Sequence, residues 1–101
     1  MDRLPHPQPL NFTQENLAQG WKRWKNEFTF YMQATESDGK ENKIKSSILL
    51  TCIGSKGREI YSTFNFENDD AKMTLSTILS KFDEYCEPRK NITYIRQIFY
   101  L

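Results

Sequence analysis

Between Leu17 and Ala34 the large apolar residues Leu17, Trp21, Trp24, Phe28, Tyr31 and Met32 recur at steps of three and four. At about 100° per residue they fall on one stripe of an α-helix, with Lys22, Arg23, Lys25, Asn26 and Glu27 around the rest of its circumference. A helix patterned this way has to bury its stripe, and each large side chain so buried contributes about 1.5–3 kcal/mol. The spacing predicts a central helix over 17–34 onto which other helices pack. Its aromatic residues are then core, not a cofactor site or a platform for stacked bases. Phe30 lies on the opposite side of the wheel, so either a flanking segment covers it or it is a contact point for a partner.

Upstream, Pro5, Pro7 and Pro9 alternate along the chain, which forbids a helix and favours an extended backbone. Residues 1–15 therefore read as an extended Pro-rich arm. Its apolar residues, Leu10 and Phe12, either lie across the domain as a strap or belong to a disordered lead-in. Asn16 or Thr13 can cap the first helix, with Glu15 near the positive end of its dipole.

Downstream, a polar turn over 35–39 containing Gly39 precedes a second helix from about Glu41, marked by Ile44, Ile48, Leu49, Cys52 and Ile53 and stopped by Gly54. Ser55 has the character of an N-cap for a short third helix to Phe64, although Gly57 weakens its first turn. After an acidic loop over 65–70, Met73, Leu75, Ile78, Leu79, Phe82, Tyr85 and Cys86 form the apolar set of a fourth helix, which Pro88 prevents from continuing. Asn91 can cap a fifth, where Ile92, Ile95, Ile98 and Phe99 repeat helically up to Leu101. The pattern stops without a terminating glycine or proline, so a fragment of a longer protein is expected.

No period-2 alternation persists over the length of a strand, so the fold class is all-α: a compact bundle of four short helices behind the arm, with a fifth helix beyond it. The predicted core is Leu17, Trp21, Trp24, Phe28, Tyr31, Met32, Leu50, Ile53, Leu79 and Phe82. The organisation is an arm at 1–15, a helical domain at 16–87 and a linker with the next helix at 88–101.

A chain of 101 residues supports one modest core and no elaborate active site. Its net charge of +1, with signs interspersed, lacks the basic excess of a nucleic-acid binder. Cys52 and Cys86 form no CxxC pair and the single histidine, His6, lies in the arm, so neither metal-ligand spacing nor a nucleophile–base set is present. Asp69 with Asp70 reads as a helix start, and Asp83 with Glu84 as a solvated face. No catalytic residue, metal site or cofactor is expected. The two Asn-x-Thr sequons, at Asn11 and Asn91, matter only in the secretory pathway, and the N-terminus has no apolar signal core. The cysteines read as apolar core residues of a reducing compartment, and the longest apolar run is far short of a membrane span, so a cytoplasmic protein without membrane contact is expected.

The order of residues carries a further signal. Pro9-Leu10, Asn16-Leu17, Trp21-Lys22-Arg23-Trp24-Lys25, Phe28, Tyr31 and Ala34, then Leu49-Leu50 and Ile53-Gly54, then Phe82, Tyr85-Cys86 and Pro88, then Asn91, Tyr94 and Phe99, resemble the capsid region of Gag proteins from Ty3/gypsy retrotransposons. The resemblance runs from about Pro9 to Leu101. It implies an N-terminal capsid domain, with the helix from Asn91 opening the second capsid domain. Tyr94-Ile95-Arg96 departs from the family's Tyr-Glu-Arg pattern and bears on a salt bridge there, not on the fold.

Two functions follow from this resemblance. One is a structural protein whose copies assemble into a shell around the element's RNA, with RNA bound only through downstream regions absent here. The other is a host-domesticated adaptor whose groove binds short extended peptides of host proteins. The resemblance also puts a hydrophobic groove at Phe30, where Leu10 and Phe12 are expected to pack as a strap, and these three residues are the candidate groove or arm contacts. Ile92, Ile95, Ile98 and Phe99 form a stripe expected to pair with the same helix of another copy.

Overall fold

The computed structural model describes residues 5–87. They form an all-α bundle in which an extended arm is followed by α1 (Leu17–Ala34), α2 (Asn42–Ile53), α3 (Ser55–Tyr61), α4 (Asp69–Lys72) and α5 (Leu75–Tyr85). The expected helix from Asn91, with Ile92, Ile95, Ile98 and Phe99, lies outside the described residues.

The bounds of α1 are those its stripe predicts. Asn16 caps it, the side-chain oxygen accepting from the Gln19 N–H at 3.2 Å. Its end is closed not at Gly39 but at Glu36, which takes the left-handed conformation (φ 59°) so that the Ser37 N–H reaches the Met32 carbonyl at 2.8 Å. That bond, with Thr35 Oγ1 donating to the Tyr31 carbonyl at 2.8 Å, satisfies carbonyls the last turn would leave open.

The stripe is stacked as well as buried. Trp21 lies over Trp24 with centroids 5.8 Å apart and planes at 15°, and Trp24 over Phe28 at 5.5 Å and 6°. Phe82 of α5, fully buried, meets this stack at Trp21 (5.4 Å), Phe64 edge-on (5.0 Å) and Phe12 of the arm (6.2 Å). Rings from the arm, α1 and the segment after α3 thus converge on this one side chain of α5. Leu17, Tyr31 and Leu79 are partly buried and pack at the margin of this core.

Leu50 is a correction. The buried face of α2 is Ser46, Leu49, Cys52 and Ile53, and Leu50, one residue and about 100° round from Leu49, is only half-buried. The third helix is also shorter than expected, ending at Tyr61 rather than Phe64. The hydroxyls of Ser62 and Thr63 donate to the Glu59 and Ile60 carbonyls at 2.6 and 2.7 Å and draw the backbone out of helical pairing. Gly57 does not weaken α3 for nothing: a Cβ there would stand 2.5 Å from Ile53 Cγ2, so the missing side chain lets α3 fold back on α2.

The acidic loop contains an extra turn, α4, capped by Asn68 accepting from the Ala71 N–H at 2.8 Å. The chain then bends at Met73 and Thr74 before α5, although periodicity alone would have begun the helix at Met73. Side chains of α2 and α3 explain the bend. Fully buried Ser46 donates to the Met73 carbonyl at 2.9 Å, Tyr61 to the Lys72 carbonyl at 2.7 Å, and Asn42 accepts from the Leu75 N–H at 3.4 Å.

Because Phe82 is the meeting point of four segments, Phe82→Ala should destabilise the domain by about 3–5 kcal/mol. Urea denaturation followed by tryptophan fluorescence measures this, and a loss below about 1 kcal/mol would contradict the packing described.

Candidate functional site

The alternating prolines hold the arm extended, and it lies against the bundle as a strap. Pro7 and Leu10 are buried, Leu10 at 7% exposure. The Trp24 indole N–H donates to the Gln8 carbonyl at 2.6 Å, fixing the strap to the middle of α1. One residue on, Pro9 rests on Gly54, where a Cβ would come within 2.7 Å of the Pro9 Cβ. Gly54 also has φ +97°, a conformation costly for any residue with a side chain, so glycine both turns α2 into α3 and makes room for the strap. Phe12 then reaches Phe82 and Tyr85, both at 6.2 Å between centroids. Asn11 closes the strap's end: its side-chain oxygen accepts from the Thr13 N–H at 2.9 Å.

The strap reading of Leu10 and Phe12 therefore holds, whereas their reach to Phe30 does not. Phe12 runs to α5, Leu10 joins the buried core, and Phe30 stays 66% exposed. It borders an open cleft of about 510 Å3 whose walls are Pro5, Pro7, Glu27 and Tyr31, with His6, Gln8 and Ala34. A second open cleft, of about 650 Å3, lies between the strap and α2. It is lined by His6, Tyr31, Lys43, Ile44, Ile48 and Cys52, among others, and Ile44 is 45% exposed. His6 and Tyr31 border both clefts.

At the other end of α1 the structure joins residues that the sequence left apart. Asp83, expected on a solvated face, accepts from the Trp21 indole N–H at 2.6 Å and from Lys25 Nζ at 2.8 Å. Lys25, expected to face water with its basic neighbours, also lies 5.7 Å from the Trp21 ring centroid. A cation four residues after a tryptophan, with a carboxylate on the helix that must cover that tryptophan, was the available signal. Burial pushes the Asp83 carboxyl up, but the hydrogen bonds from Lys25 and Trp21, with the charge of Lys25, outweigh it and hold the group below the usual carboxylate range. Burial, with a smaller contribution from the Asp83 charge, raises the Cys86 thiol to about 12, and burial raises Cys52. Both thiols are protonated at neutral pH and poor nucleophiles.

Among the described residues no group of three or more His, Cys, Asp or Glu side chains could hold a metal ion, and no helix is long and apolar enough to cross a membrane. What the arrangement offers is surface and groove: a groove filled by its own extended segment, with two open clefts beside it. In comparisons with known protein families, curated proteins and solved structures, nothing matches the chain.

Gly54→Ala should cost about 1–3 kcal/mol and loosen the strap, because left-handed strain adds to the collision with Pro9. Hydrogen exchange would show it as faster exchange at His6, Gln8 and Leu10, and unchanged protection there would refute the coupling. The lowered Asp83 carboxyl makes a pH prediction. A group whose folded value is depressed gives stability that is present above its unfolded value and lost as pH falls through the folded one. Thermal melts should therefore show a loss of stability below about pH 4 that is smaller in Asp83→Asn.

Proposed function

We propose that this chain serves as the N-terminal capsid domain of a Ty3/gypsy-type Gag protein, a structural unit whose copies assemble in the cytoplasm into a virus-like shell around the element's RNA. The role is structural, without catalysis or cofactor, and RNA binding is left to regions downstream. One observation carries the reading: the residues of the resemblance meet one another across the fold. Pro9 of the first block rests on Gly54 of the Ile53-Gly54 block, and Trp21 of the Trp-Lys-Arg-Trp-Lys block meets Phe82, one turn before Tyr85-Cys86. An ordered set of weak motifs that also forms the contacts between distant segments supports a shared architecture better than composition does.

A second reading, a host-domesticated Gag-like adaptor that binds short extended peptides of host proteins, is favoured by a different observation. The groove between α1, Gly54 and α5 already holds an extended segment, and Trp24 fixes it through a main-chain carbonyl that any peptide possesses.

The test is assembly of the full-length protein in which this domain occurs. Electron microscopy should show closed particles carrying nuclease-protected RNA. A uniformly small species that instead takes up extended host peptides would replace the shell reading with the adaptor.

A further inference from the structure

Phe30 and Ile44 are large apolar side chains standing in water on the same side of the molecule, and each borders one of two clefts that share His6 and Tyr31. Phe30 is a knob, carried by a rigid eighteen-residue helix. The 650 Å3 cleft around Ile44, Ile48 and Cys52 is a hole with room for a phenyl ring. The charged residues at their edges include one pair of opposite sign. Glu27, three residues before Phe30 and on the same part of α1, edges the knob, while Lys43 edges the hole. Neither has an ion-pair partner among the described residues. Glu41 borders the hole as well, and its like charge holds Glu27 to the Lys43 side, which fixes the register.

We propose that this face binds a second copy of the chain, in a two-fold arrangement in which Phe30 of each copy enters the Ile44–Ile48 hole of the other and Glu27 of each meets Lys43 of the other. Knob and hole lie on either side of His6 and Tyr31, so a two-fold axis passing beside these residues makes both contacts at once, which an isologous interface requires. The apolar insertion supplies the affinity and the charge pair selects the register. This inference rests on the self-assembly reading above and adds to it the surface and the geometry of one contact between copies.

Sedimentation velocity on the full chain tests it, with far-UV circular dichroism as a check on folding. The wild type should form a concentration-dependent dimer, and Phe30→Ser, at an exposed position, should weaken it at least tenfold. Glu27→Lys and Lys43→Glu should each weaken it, and the double variant Glu27→Lys/Lys43→Glu should restore it, an outcome that loss of folding cannot produce. Dimerisation that is untouched by these three substitutions, or that responds instead to Ile95→Ser, would overturn the proposed surface while leaving self-assembly standing. A wild type that stays monomeric up to about 1 mM would overturn the proposed surface, while particle formation decides the assembly reading separately.

Discussion

A buried indole N–H has to find an acceptor, and Trp24 finds one not in another helix but in the Gln8 carbonyl of the strap, 2.6 Å away. Left without it, that donor would cost about 1–3 kcal/mol, a large fraction of the stability of a domain this small. The requirement spreads outward. For Gln8 to lie there, Pro9 must pass over the α2–α3 junction, and the junction can accept it only because residue 54 has no side chain. Leu10 and Phe12 then complete the core over Phe82. The arm is therefore an integral layer of the fold, and the three prolines that make it a poor helix make it a good strap, since they limit the conformations lost when it docks.

The opposite side of the bundle is held differently. There the chain leaves helical geometry at Met73–Thr74, and main-chain groups at the bend are satisfied by Ser46, Tyr61 and Asn42. Ser46 and Asn42 are one turn apart on α2, so a single helix presents both a donor and an acceptor to the corner. A hydroxyl buried at 0% exposure is tolerable there because it is fully used. One seam thus joins a side-chain donor to the main chain of the strap, and the other joins side chains to the main chain of the bend.

What the sequence made legible follows from this division. The apolar stripes specified α1 to the residue, the extent of α2 and the aromatic core, because they depend on periodicity within one element. Leu49 and Leu50 were separable only by the phase of α2 against its neighbours, which periodicity does not contain when both positions are apolar. The bend before α5 was hidden because its cause lies on other helices, about thirty residues away in sequence. The pairing of Asp83 was hidden likewise: Asp83 does lie on an exposed helix face, and nothing in its own helix names a partner until Trp21 and Lys25 are placed opposite. For the candidate site, the strap was legible from its prolines and apolar pair, while its direction was not. Gly54, which routes it, was recognised only as a helix stop.

The strap also constrains the order in which the domain can form. Its partners, Trp24, Gly54, Phe82 and Tyr85, lie on elements spread from α1 to α5, and Gly54 and Phe82 become neighbours of the arm only after α2, α3 and α5 have packed. Docking the strap earlier would pay loop-closure entropy with few contacts in return. Loop-closure entropy therefore favours assembly of the helices around Phe82, whose contacts with Trp21 and Phe64 do not involve the arm, before the strap closes over them. Until it does, Trp24 and the floor beneath Leu10 remain open to any extended chain that offers a carbonyl and an apolar side chain at the right spacing. The chain's own arm has the advantage of a tether of sixteen residues between Gln8 and Trp24, which gives it an effective concentration that free segments do not reach.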